Sequence, residues 1–169
     1  FIEKLLYDVL FPVIRKNIQM QFEAGAEIVY VFDTNSVQLN NTYYLDIYME
    51  RMKSELFLEF NNKLSYFSKN INFYQQGIER LKSYNLAGVV YPENEGFSDF
   101  LQSEKSFFVQ GNFSPKSILK EHSEYLIDFN KFIGKMNKLN STDRKWWLCS
   151  LSHGVLPKTP EVNVIHFVT

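Results

Sequence analysis

Residues 27–33 read EIVYVFD, a run of β-branched and aromatic residues that follows an Ala24-Gly25-Ala26 break and closes on an acidic side chain. It is too short for a helix of ordinary length and apolar without alternation, which is the pattern of a strand buried on both faces, here over about residues 28–32. Before it, Ile2, Leu5, Leu6, Val9, Leu10 and Val13 recur at three- and four-residue spacing, the pattern of an amphipathic helix, with Pro12 placed to kink or divide it. After it a second helix is expected over about residues 42–60. A doubly buried strand between two helices is a β/α unit and not part of an antiparallel meander.

The alternation continues to the end of the chain. LSYFS (64–68) reads as strand, INFYQQGIERLKSY (71–84) as helix, LAGVVYP (86–92) as strand, GFSDFLQS (96–103) as a short helix and SFFVQGN (106–112) as strand. A long helix over about 114–138, a polar loop NKLNSTDRK (137–145), the strand WWLCSL (146–151) and a closing helix begun near Pro160 complete the run. Five buried strands separated by helices predict parallel β/α units. Five units do not close an eight-stranded barrel, and the same run suits an open doubly wound sheet, so periodicity leaves the two architectures undecided.

At 169 residues, 45% hydrophobic and 17% aromatic, the chain has material for one substantial core. A formal net charge of −1 with scattered basic residues lacks the footprint a phosphate backbone requires, so nucleic acid is not an expected partner. Cys149 is the sole cysteine, which excludes an internal disulfide or a multi-thiolate metal site and fits a reducing, cytoplasmic compartment. No apolar run approaches the roughly 20 residues of a membrane span, and none forms a secretory leader, so no membrane association is expected. The chain opens on Phe1 inside a helical pattern and stops at Thr169 in another, and is expected to be a piece of a longer protein.

In either α/β architecture ligands bind at the C-terminal ends of the strands, so the residues just beyond each strand are the ones to inspect. Asp33 and Thr34 can hydrogen-bond a ligand, and such residues also cap loops and helices. Lys69 can pair with a carboxylate or stand as a solvated charge. In QGN (110–112), Gly111 permits a tight turn between amides that donate and accept. His153, flanked by Ser152 and Gly154, is the best single candidate: imidazole titrates near neutrality and the glycine lets a ligand approach, though a turn histidine fits the same surroundings. His122 and His166 fall within helices, where packing or surface roles are expected. Glycine-rich phosphate loops, HExxH and GxSxG are absent.

Four segments in order, AGAEIVYVFDT (24–34), YFSK (66–69), FVQGNFSP (108–115) and LSHGVLPKTPEVNV (151–164), resemble the C-terminal half of the uroporphyrinogen decarboxylase family. That family's pattern is approximately AGA-x(5)-FDS/T, F-x-K-G, LQGNLDP and NLGHG followed by P-x-x-P-E-x-V. The resemblance covers essentially the whole chain. It implies the later part, about five β/α units, of a (β/α)8 TIM barrel, with residues 1–169 forming a single partial domain whose N-terminal part is missing. It also implies cofactor-independent, metal-free removal of the four acetate carboxyl groups of uroporphyrinogen III to give coproporphyrinogen III, in a protein that can pair as a homodimer. Thr34 falls on the family's substrate-touching Ser/Thr, His153 on its last-strand histidine, and Phe32 on its apolar wall, so these three are the implied tetrapyrrole-binding residues. No catalytic residue is implied here, since the family's arginines, its pyrrole-binding aspartate and its substrate tyrosine belong to the missing part.

The sequence departs from the pattern at Asn35-Ser36-Val37, at Gly88-Val89-Val90-Tyr91 where the family has G-L-D-W, at Phe113-Ser114-Pro115, and at Ser150 and Ser152 around His153. Two other functions remain open. A divergent or vestigial barrel would bind or interact without catalysis. A corrinoid-dependent methyltransferase of the same fold would require an H-x-C segment, which is lacking after LSYFSKN.

Overall fold

Five strands carry the fold: β1 (Val29–Asp33), β2 (Leu64–Ser68), β3 (Gly88–Val90), β4 (Phe108–Phe113) and β5 (Trp147–Leu151). They occur in a computed structural model that describes residues 2–93 and 96–169; the side chain of Ile2 and the whole of Phe1, where the sequence already reads as helix, lie outside what is described. The strands follow one another in the sheet in chain order, with β1 and β5 at its edges, so the sheet is open. β1 pairs parallel to β2, in register from Val29 with Leu64 to Asp33 with Ser68. β4 pairs parallel to β5, from Val109 with Trp147 to Phe113 with Leu151. The expected run of five β/α units is therefore present, with parallel neighbours joined by helical crossovers.

The chain divides into two compact units, residues 1–89 and 90–169. In the first, β2 is buried at every position, as expected for a doubly covered strand. Tyr66 and Phe73 meet edge to face at 4.8 Å between ring centres, Phe57 packs on Tyr66 at 5.6 Å, and Phe73 stacks on Tyr84 at 5.8 Å. Each such ring removes about 150–250 Å² of surface from water, so this aromatic layer is the main source of cohesion in the unit. At the rim, the Arg15 guanidinium pairs with Glu55 at 2.9 Å, tying the first helix to the end of the second.

Pro12 divides the first helix without ending it. It falls in the first turn of the helix Phe11–Glu23, directly after a π-helical turn over Leu5–Leu10 in which the Phe11 amide reaches back to Leu6. Pro12 thus stands where the π turn gives way to α-helix, and the helical path runs on through it. The expected helix 42–60 forms as a π segment (Tyr43–Tyr48), an α turn (Met49–Met52) and a second π segment (Lys53–Phe57).

Two expected helices are split. The segment 71–84 breaks at Gly77, whose φ of +93° precedes the second piece, Ile78–Ser83. The segment 114–138 forms a turn, Pro115–Ile118, capped by the Ser114 hydroxyl, and then the long helix His122–Met136. The polar loop before β5 contains a short helix, Ser141–Arg144, whose N-terminus Asn140 caps by accepting from the Asp143 amide. In the second unit Phe113, Ile118, Tyr125 and Leu151 form a core against which Phe129, Phe132, Val164 and Phe167 pack.

Candidate functional site

The C-terminal end of β1 is built by strand alternation. Phe32 lies on the face that carries Phe67 of β2, 5.9 Å away between ring centres, and Tyr30, 6.1 Å away. Asp33 points to the opposite, helix-covered face, where its Oδ2 accepts from the Tyr66 hydroxyl at 2.7 Å. Thr34, one residue past the strand, is half-buried. Phe32 itself is 68% exposed, a large apolar ring left uncovered at a strand tip. Such a surface suits contact with a ligand's apolar face.

Behind this face a hydroxyl network converges on Asp33. The Ser36 amide donates to Asp33 Oδ1 at 3.2 Å and the Ser36 hydroxyl donates to the Asp33 carbonyl at 3.1 Å. The Ser36 and Ser68 hydroxyls lie 2.9 Å apart, and Ser68 accepts from the Tyr44 hydroxyl at 3.0 Å and from the Asn70 amide at 3.0 Å. A hydroxyl has one proton to give, so the direction is determined: Tyr44 donates to Ser68, Ser68 to Ser36, and Ser36 to the Asp33 carbonyl, while Tyr66 donates to the carboxylate. Burial, opposed by its hydrogen bonds to Ser68 and Tyr66, pushes the Tyr44 phenol up to about 12. Burial raises Tyr66 well above its ordinary value, and burial, reinforced by the Asp33 charge and a hydrogen bond to it, does the same for Tyr48. The three phenols therefore remain protonated donors at neutral pH. Sequence reasoning counted these tyrosines as core and left the network unseen.

Lys69 is exposed, directly beyond the buried Ser68. In the second unit QGN is part of β4 itself and not a turn after it. Gly111 holds φ at +134°, and a Cβ there would stand 2.8 Å from the Tyr91 carbonyl oxygen, so close approach of Tyr91 is what requires glycine. The Gly111 carbonyl accepts from the Trp147 indole at 2.6 Å. Gln110 donates to the Ser150 hydroxyl at 3.0 Å and Asn112 to the Pro92 carbonyl at 3.2 Å, so both amides help fix strand tips.

His153 is exposed, two residues past β5, after a buried Ser152 whose amide donates to the Phe113 carbonyl at 2.8 Å. Thr34 belongs to the first unit and His153 to the second. His122 and His166 pack as expected: His122 Nδ1 lies 2.7 Å from Asn163 Oδ1 and His166 Nδ1 lies 2.9 Å from the Tyr125 hydroxyl. A groove of about 810 Å³ opens beside β4 and takes in Asn112, Ser114, Lys131, Phe132 and Lys135, but not His153. Burial pushes the Cys149 thiol up, so it is a poor thiolate near neutrality. Among the described residues no cluster of His, Cys, Asp and Glu is placed to hold a metal, and no helix is long and apolar enough to cross a membrane.

Over residues 3–169 the sequence matches the family described as uroporphyrinogen decarboxylase (URO-D). It is similar to the uroporphyrinogen decarboxylase of Orientia tsutsugamushi strain Ikeda, with 29% identity over 153 residues, 88% of this chain and 42% of that protein. The corresponding protein of Orientia tsutsugamushi strain Boryong is 28% identical over 149 residues, 85% of this chain and 41% of that protein. The uroporphyrinogen decarboxylase of Picrophilus torridus is 24% identical over 168 residues, 95% of this chain and 46% of that protein. The chain thus spans less than half the length of these curated relatives.

Proposed function

Because this chain belongs to the uroporphyrinogen decarboxylase family, we propose that residues 1–169 are the later part of one barrel domain that strips the four acetate carboxyl groups from uroporphyrinogen III to give coproporphyrinogen III. The reading uses neither metal nor organic cofactor. It includes a cytoplasmic setting and pairing as a homodimer.

Each decarboxylation begins with protonation of a pyrrole ring carbon. Carbon dioxide then leaves, the electron pair of the broken bond forms an exocyclic double bond that neutralises the ring, and the methylene carbon is protonated to methyl as the ring carbon gives up its added proton. The substrate carries eight carboxylates, so the site must hold anionic arms with fixed donors while keeping the reacting ring against apolar surface. In this reading the Thr34 hydroxyl and the His153 imidazole donate to substrate carboxylates, and Phe32 forms part of the apolar wall. The remaining groups, including those that move the proton, come from the part of the barrel preceding these residues.

The observation that carries the reading is the pairing of Phe32, 68% exposed, with the half-buried Thr34 at the C-terminal end of β1, where β/α proteins bind their ligands. It is supported by a family match from residue 3 to residue 169. The test is to incubate the complete protein with uroporphyrinogen and follow carboxyl loss by chromatography. A ladder of hepta-, hexa- and pentacarboxylate species is expected, and Thr34→Ala and His153→Ala should each raise KM about tenfold, the equivalent of one charge-assisted hydrogen bond. A correctly folded complete protein that leaves the substrate intact refutes the reading.

A further inference from the structure

We propose that Asp33 and Tyr66 are positioning residues, which hold the strand-end segment Asp33–Ser36 rigid from behind so that the Thr34 hydroxyl stands ready at the mouth of β1. The inference rests on the proposed role of Thr34 and gives Asp33 and Tyr66, which lie within the matching segments 24–34 and 66–69, a role that involves no contact with substrate.

The geometry is one-sided. Thr34 is flanked by two residues anchored on the helix-covered face. Asp33 is anchored through both carboxylate oxygens and its carbonyl, and the buried Ser36 through its hydroxyl and amide. From outside the segment, Tyr66 donates to Asp33 and Ser68 meets Ser36, both from β2, and Tyr44 of the helical segment after β1 in turn donates to Ser68; the remaining bonds run between Ser36 and Asp33 themselves. Beyond Ser36 the chain closes a tight turn, with the Gln38 amide on the Asn35 carbonyl at 3.0 Å and the Leu39 amide on the Ser36 carbonyl at 3.1 Å. A segment pinned on both sides of one residue has little freedom to move that residue, and its cost of ordering is met on folding and not at binding. Asp33 is unsuited to a direct role in proton transfer, because its carboxylate is turned to the face away from Phe32, where it accepts from the Tyr66 hydroxyl and the Ser36 amide.

Tyr66→Phe in the complete protein removes one hydroxyl and keeps the ring that packs on Phe57 and Phe73. Amide hydrogen exchange at Ser36, Gln38 and Leu39 is expected to speed about tenfold, with the amides of β2 keeping their protection. Unchanged exchange at those three amides overturns the proposal, whatever the activity. With uroporphyrinogen, KM is expected to rise about tenfold while kcat stays within about twofold, because the hydroxyl is misplaced and the reacting groups are untouched. In a Thr34→Ala background the same substitution should have no further effect on KM, since there is then no hydroxyl to position. Effects on KM that add in full would show that Tyr66 acts on something other than Thr34, and would overturn the proposal. Asp33→Asn is the second variant should Tyr66→Phe fail to fold. It keeps the size of the side chain, turns one acceptor oxygen into a donor, and should loosen the same three amides. If the wild-type protein shows no turnover, decarboxylation is refuted, and the exchange measurement alone decides whether Asp33 and Tyr66 hold the segment.

Discussion

Substituting Gly111 by alanine tests whether the β4 tip is packed as tightly as the structure shows. An alanine Cβ would sit 2.8 Å from the Tyr91 carbonyl oxygen, against an ordinary contact that begins near 3.4 Å, so about 0.6 Å must be recovered. The oxygen cannot simply swing away, because the Tyr91 amide is bonded to the Gln110 carbonyl at 2.7 Å and the Gly111 carbonyl to the Trp147 indole at 2.6 Å. Forced overpacking of this kind costs about 1–3 kcal/mol. Holding alanine at a φ of +134° costs about 1–3 kcal/mol more. The smaller entropy of the unfolded alanine chain returns about 0.4–1 kcal/mol. The net expectation is a loss of about 1–5.5 kcal/mol, a large share of the roughly 5–15 kcal/mol that stabilises a domain. Urea unfolding of the complete protein, followed by tryptophan fluorescence, measures it through the shift in midpoint at constant slope. A shift worth less than about 0.5 kcal/mol would mean that Tyr91 and Gly111 are not in close approach, and the account of why glycine stands in QGN would fall.

Asn163 is fully buried and donates to the Ile118 carbonyl at 2.9 Å and to the Lys120 carbonyl at 2.8 Å, while its oxygen meets His122. Asn163→Ala is therefore expected to cost about 2–4 kcal/mol and to open the terminal helix Glu161–Val168 to proteolysis; a variant as protease-resistant as wild type would count against this docking role. The Asp128 carboxyl is held below the usual carboxylate range by hydrogen bonds from Lys120 at 2.8 Å and Ser117 at 2.6 Å. A depressed folded pKa adds stability that is present above the unfolded value, near 3.9, and is lost as pH falls through the folded value. Asp128→Asn should accordingly flatten the acid limb of a stability-versus-pH curve between about pH 5 and 2, and an unaltered limb in urea midpoints would refute the assignment.

The strands were legible as short unbroken apolar runs, although the expected burial on two faces holds throughout only β2 and β3; as the edge strands of an open sheet, β1 and β5 bury only Val29 and Leu151. LSYFS is β2 residue for residue, EIVYVFD contains β1 shifted by one position, and WWLCSL contains β5. The helices were less legible because their ends are decided by single backbone events. Gly77 takes a positive φ inside a pattern that reads as one helix, and the Ser114 hydroxyl caps a single turn before the chain restarts at His122. The helix Ser141–Arg144 was invisible to periodicity, since it buries no residue and depends on the Asn140 cap. Architecture followed from motif order, because five β/α units satisfy a barrel and an open sheet equally.

The candidate site divides along the same line. Phe32 and Thr34 were picked out from their position, just at and beyond a strand that periodicity locates. The groups holding that strand end were not legible, because a tyrosine in a buried strand reads as core by its ring whether or not its hydroxyl has work to do. Tyr66 is both: its ring packs on Phe73 at 4.8 Å and its hydroxyl meets Asp33 at 2.7 Å. Its partners Tyr44 and Asp33 lie 22 and 33 residues away, separations that no local pattern records. One signal was available in β2, where Tyr66 and Ser68 put two hydroxyls on one face of a fully buried strand; the buried Ser65 hydroxyl, on the opposite face, has no partner among the described residues. Buried hydroxyls without partners are costly, so a hydroxyl-rich central strand predicts acceptors at the same depth on a neighbouring element. Asp33, at the end of the adjoining strand, supplies one to Tyr66, and Ser36 supplies one to Ser68. The aspartate next to Thr34 therefore has a structural reason to be there that is independent of any contact with substrate.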